Sequence, residues 1–292
     1  MIKSMKTRII SGIVMFGIVS LVLVAGLLWN PIVIAVFIAL LAAFGTYELI
    51  HNALGVKGNL ATLVPAIFSA VLTISCSYWF SGLFLLARGG EEIDSDLIYT
   101  APLAIIIAVA FYWVSASLII FINHKDFSLS HIVGIIGMPI LYSIAFAALA
   151  SIIADTGRIY YLLLIVNFAC ICDTGAYFVG VKLGKHKLCP AISPKKTVEG
   201  AIGGIASSLV ATVVIVCACG FANKLWLALI FTVPLCVVGM IGDLFASSVK
   251  RAAGIKDYGD LIPGHGGVLD RVDSILMISP LMFILVLLGV FG

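Results

Sequence analysis

The chain has 292 residues, 62% hydrophobic and 11% charged, with a formal net charge of +3 and a mean hydropathy of +1.23. Soluble domains carry about 25% charged residues, so this composition excludes a water-soluble globular protein. The small net charge, without a long basic block, gives no electrostatic footprint for nucleic acid.

The first residues include Lys3, Lys6 and Arg8, followed by an apolar run. That run is about 21 residues long, beyond the 7–15 of a signal-peptide core, and no small-residue cleavage pattern follows, so a retained first span is expected. A bilayer crossing takes about 20 apolar residues. By that measure spans are expected at roughly 9–29, 32–50, 60–84, 98–122, 132–153, 160–182, 200–222, 226–248 and 268–291. The predicted fold is an all-α polytopic membrane protein of about nine transmembrane helices. With the N-terminus placed in the cytoplasm, every Lys and Arg except Arg88, Arg158 and Lys224 falls in a cytoplasmic segment, as cytoplasmic loops prefer. The C-terminus is then outside. The outer loop 86–97 is acidic, with Glu91, Glu92, Asp94 and Asp96, and Trp29, Trp79 and Trp226 fall near outer span ends.

Residues 1–155 read as a transmembrane scaffold with short loops and few ionisable groups. Glu48, near the inner end of the second span, is the exception; it either snorkels to the interface or serves a site. Residues 156–292 read as the catalytic region. The cysteines lie mostly in apolar runs, lack zinc-site spacing and read as small packing residues.

Three segments of that region carry chemistry. The first begins at Cys172-Asp173-Thr174-Gly175 late in span six, where an aspartate at membrane depth is by default a functional group. A basic loop follows, ending Ser193-Pro194-Lys195-Lys196-Thr197-Val198-Glu199-Gly200. Thr197 is a candidate cap for the next helix, and lysines with hydroxyls at a helix N-terminus suit a phosphate. The second segment is Ile241-Gly242-Asp243 inside span eight, about two turns before Lys250-Arg251. The third runs from Ala252 to Asp273 and includes Lys256 and a loop in which Gly259, Gly264, Gly266 and Gly267 surround Pro263 and His265. Such a loop can wrap a ligand with backbone N–H groups, and His265 can bind phosphate or carry a proton. Asp270 and Asp273, flanking Arg271 and Val272, share a helix face and repel each other. With Asp243 they offer three carboxylates to a hard cation such as Mg²⁺; the alternative is an ion-pair network with Lys250, Arg251 and Arg271. Neither a G-x-S-x-G elbow nor a Walker A loop is present.

The run Ser247–Asp273, S-S-V-K-R-A-A-G-I-K-D-Y-G-D-L-I-P-G-H-G-G-V-L-D-R-V-D, resembles the signature of the phosphatidate cytidylyltransferase family without departure. The D-T-G-A-Y-F and S-P-K-K-T-x-E-G segments also look like this family, so residues 167–280 carry the resemblance. It implies transfer of CMP from CTP to phosphatidate, giving CDP-diacylglycerol and pyrophosphate, with Mg²⁺ and a second cation such as K⁺. It also implies a nine-span fold, often a homodimer, in a bacterial cytoplasmic membrane with the site facing the cytosol. Metal is expected on Asp243, Asp270 and Asp273. Lys250, Arg251 and His265 join them as catalytic residues. Asp173, Ser193, Lys195, Lys196, Thr197, Lys256, Gly266, Gly267 and Arg271 are expected to contact CTP or phosphate. No nucleic acid is implied. Two other readings remain at this point: a CTP-dependent lipid kinase, and a transporter using the intramembrane aspartates.

Overall fold

A computed structural model describes residues 2–87, 95–122, 127–155 and 159–290. The acidic residues Glu91, Glu92 and Asp94, with Arg88, Lys125 and Arg158, lie outside the described residues; the side chains of Lys3, Lys6 and Asp96 do as well. The helices are α1 Ile2–Leu28, α2 Ile32–Glu48, α3 Asn59–Ala87, α4 Ser95–Ile122, α5 Leu129–Asp155, α6 Ile159–Val166, α7 Cys172–Leu183, α8 Val198–Ala218, α9 Leu225–Ala252 and α10 Leu269–Leu287. Among the described residues eight helical segments are long and apolar enough to cross a membrane, α6 and α7 counting as one segment through 159–183. The ninth expected span is α10, whose first turns hold Asp270, Arg271 and Asp273. The chain is therefore a multi-pass membrane protein.

Among the described residues there are two π-helical turns: Leu49–Ala53, continuing from α2, and Asn167–Ile171 between α6 and α7. Such turns often mark functional sites. The basic loop after α7 holds a short antiparallel ribbon, β1 Lys187–Cys189 with β2 Ser193–Thr197, where the sequence predicted only a loop. The cause is Glu199: its carboxylate accepts from the Lys185 amide at 3.0 Å and the His186 amide at 3.2 Å, tying the incoming arm to the start of α8.

The chain divides into two compact units. The first comprises residues 1–157 together with the loop 253–271, so the glycine-rich stretch of the signature is grouped with the N-terminal helices. In it α3 packs on α2, α4 and α5. Its core holds Ile50, Leu72, Ile135 and the stacked rings of Phe68 and Tyr112, centroids 3.8 Å apart. The second comprises 158–252 and 272–292. There α8 packs between α7 and α9. The α7–α8 contact depends on small residues: a Cβ on Gly203 would run into Val179, and one on Gly175 into Ser207. A buried polar ladder crosses the same unit: Asn167 donates to the Thr212 hydroxyl at 2.9 Å and the Ser208 carbonyl at 3.1 Å, and Thr212 meets Thr232 at 2.9 Å.

Candidate active site

In the second unit, Thr197 caps α8 by accepting from the Gly200 amide at 3.1 Å, as its sequence position predicts. This places the end of β2 beside α7, because Gly180, Gly184 and Gly200 crowd the Thr197 side chain. Lys196, one residue earlier, forms an ion pair with Asp243 of α9, Nζ to Oδ2 2.5 Å, and both side chains are about one quarter exposed. Gly242 brings α10 against α9: a Cβ there would lie 2.9 Å from the Asp273 carbonyl oxygen. Asp243 and Asp273 therefore come together, and Asp173 of α7 lies within electrostatic reach of both. Lys196 offsets the charge of Asp173, and Lys250 that of Asp273. Lys250 is buried, Ser193 is half-buried in β2, and Lys195 and Arg251 are exposed. Asp243 also accepts from the Ser247 hydroxyl at 3.2 Å, and Asp273 from the Ser274 amide at 2.8 Å.

In the first unit, the glycine-rich loop folds on itself. The His265 and Gly266 amides donate to the Ile262 carbonyl at 2.9 and 3.1 Å. Gly264 and Gly266 sit at φ +77° and +90°, which only glycine adopts without strain. Asp270 Oδ2 accepts from the Tyr258 amide at 2.7 Å and the Gly267 amide at 3.0 Å. Amides that the sequence offers to a polyphosphate are thus held by acceptors of the chain itself. His265 is half-buried, its Nδ1 2.8 Å from the Ser11 hydroxyl of α1. Lys256 and Arg271 are exposed.

Sequence reasoning did not find three residues that organise these groups. Ser11 on His265 and Asn167 in the polar ladder carry no spacing signal. Asn52, in the first π-helical turn, donates to the Tyr258 carbonyl at 2.6 Å. Glu48 was visible as a lone carboxylate in an apolar span, the one available cue.

Among the described residues, no group of three or more His, Cys, Asp or Glu is gathered tightly enough to hold a metal ion as it stands. The donor chemistry nevertheless fits a hard cation. Asp173, Asp243 and Asp273 are mutually repelling oxygen donors in one region, and positive charge offsets that repulsion.

A carboxylate cluster with Lys196 and Lys250 beside it, on helices long and apolar enough to cross a membrane, suits phosphate chemistry at a membrane. Comparison with known proteins narrows this. The description "Cytidylyltransferase family" matches residues 6–288, and the chain belongs to that family. It is similar to the phosphatidate cytidylyltransferase of Staphylococcus haemolyticus, 32% identical over 285 residues, covering 97% of this chain and 99% of that protein. The phosphatidate cytidylyltransferase of Staphylococcus saprophyticus is 46% identical over 129 residues, 44% of this chain and 50% of that protein. That of Staphylococcus aureus strain COL is 43% identical over the same length and shares of each chain.

Proposed function

We propose that this protein transfers CMP from CTP to phosphatidate, forming CDP-diacylglycerol and pyrophosphate. The observation that carries the reading is the Lys196–Asp243 pair beside Asp173 and Asp273, in a chain whose relative over nearly its whole length is a phosphatidate cytidylyltransferase. A phosphate oxygen of phosphatidate attacks the α-phosphorus of CTP, and the bond to the β-phosphate oxygen breaks. The attacking group is already an anion at neutral pH, so no strong general base is needed. The protein's task is positioning and charge neutralisation.

Lys195, Lys196, Lys250 and Arg251 neutralise the triphosphate and the departing pyrophosphate, with Lys256 and Arg271 adding positive charge. Ser193, Thr197 and His265 orient phosphate oxygens; Gly266 and Gly267, whose amides are held by Ile262 and Asp270, shape the loop that carries His265. Asp173 takes the ribose, a lysine or the cation. Asp243 and Asp273 would hold Mg²⁺, with Asp270 the third carboxylate that the family resemblance implies; when bound, the ion supplies Lewis-acid stabilisation of the charge developing on the phosphates. The family resemblance adds a second cation, such as K⁺, to this proposal.

The distribution of Lys and Arg supports a site on the cytosolic face of a bacterial cytoplasmic membrane, where CTP arrives from solution and the lipid from the inner leaflet. An impermeant thiol reagent should therefore modify Cys189 of β1 in inside-out vesicles and spare it in sealed right-side-out ones; the reverse pattern contradicts the orientation. The proposal also includes a homodimer. Native mass spectrometry should find twice the 30.9 kDa chain, and a monomer throughout contradicts this.

Purified protein with CTP, phosphatidate and Mg²⁺ should form CDP-diacylglycerol, and chelation should abolish the product. Undiminished turnover in metal-free buffer would remove Mg²⁺ from the account.

A further inference from the structure

Glu48 ends α2, a helix of otherwise apolar or small residues apart from Tyr47 and Thr46, and is only 5% exposed. It does not snorkel out. Each carboxylate oxygen accepts one backbone amide: Oε1 from Val268 at 2.9 Å and Oε2 from Leu269 at 3.1 Å. These are the residues at the start of α10, where amides have no partner within the helix and a negative charge is favoured. A helix that needed only a stable start would place Ser, Thr, Asp or Asn at its own cap. Val268 has no side-chain oxygen to offer. The acceptor comes from 220 positions upstream.

The fit is close. A Cβ on Gly259 would lie 2.9 Å from Glu48 Oε1, and one on Gly267 would overlap the carboxylate. Two glycines of the signature thus make room for this side chain. Asn52, one turn along, holds the Tyr258 carbonyl, and Leu269 packs against Gly45 of α2. The far end of α2 therefore grips the loop at residue 258 and again at 268–269. The next residue is Asp270.

We infer that Glu48 is a positioning residue for nucleotidyl transfer: its buried carboxylate fixes the Val268–Leu269 backbone and so sets how Asp270 is presented. The inference rests on the reading that Asp270 serves the reaction, and it makes α2 part of the catalytic apparatus.

The test is Glu48→Gln, which keeps size but leaves one acceptor oxygen and turns an NH₂ donor toward the second amide. The expected result is a protein that purifies as wild type, with kcat lowered about tenfold or more and KM for CTP within about threefold. Without any substrate, hydrogen exchange in the 258–269 segment should be about tenfold faster. Gly259→Ala, which displaces the carboxylate without removing it, should show both effects to a lesser degree. Ser143→Ala breaks a buried hydrogen bond to Ser69 in the same unit. It should lower the melting temperature and leave kcat and loop exchange unchanged. Wild-type kcat in Glu48→Gln, or a loss matched by its folded fraction with loop exchange unchanged, overturns the inference. If Glu48→Gln does not fold, wild-type kcat and exchange in Gly259→Ala overturn it. Asp270→Asn, assayed alongside, separates the two levels. An active Asp270→Asn refutes the role given to Asp270, whereas an inactive one beside a normal Glu48→Gln refutes only the positioning role of Glu48.

Discussion

The two units use carboxylates in opposite ways. In the first, Glu48 and Asp270 together accept four backbone amides and hold the glycine-rich loop in shape. In the second, Asp243 faces Lys196, with Asp173 and Asp273 close by. The same residue type thus shapes backbone in one place and gathers charge in the other. A buried carboxylate that holds two amides, as Glu48 does, is satisfied by the chain alone. In a cluster of like charges each carboxylate makes ionisation of the next costlier unless positive charge offsets it, which suits a site that admits a cation with a charged nucleotide.

Substitutions sharpen this contrast. Asp243→Asn removes charge from the cluster and should lower kcat by about 10²–10³, read as CDP-diacylglycerol formed per purified protein. Lys196→Met leaves Asp243 near two other carboxylates without its closest cation. It should cost about 10–10² in kcat/KM for CTP, with membrane insertion unchanged by protease protection. If Lys196→Met is neutral, the Lys196–Asp243 pair is structural and the contrast between the units fails. In the polar ladder, Asn167→Leu should cost about 1 kcal/mol of stability in a detergent unfolding assay, with KM for CTP unchanged. Thr197→Ala, at the α8 cap, should also cost about 1 kcal/mol, and its effect on activity should stay below that of Lys196→Met.

Much of the helical fold was legible because apolar runs of span length declare themselves, and α1 to α10 fall on the expected segments. The capping role of Thr197 and the close approach allowed by Gly242 were also legible, since each depends on local chain chemistry. The ribbon Lys187–Thr197 was not. It depends on Glu199 reaching back to the Lys185 and His186 amides, a pairing across the loop with no periodic signal. The π-helical turns were hidden for a similar reason: the extra residue in the turn leaves the apolar pattern of the span intact. Glu48 was visible as an anomaly, but its partners lie 220 and 221 positions away. Residues 1–155 therefore read as a plain scaffold, although α1, α2 and the π-helical turn after α2 carry Ser11, Glu48 and Asn52 to the signature loop.

The most direct test of the central claim follows the phosphates of CTP. Purified protein in detergent with phosphatidate and Mg²⁺ should move label from the α-phosphate of CTP into lipid, recovered as CDP-diacylglycerol, and should leave γ-phosphate label in pyrophosphate. Label entering lipid from the γ-phosphate alone, or from neither position, would contradict it.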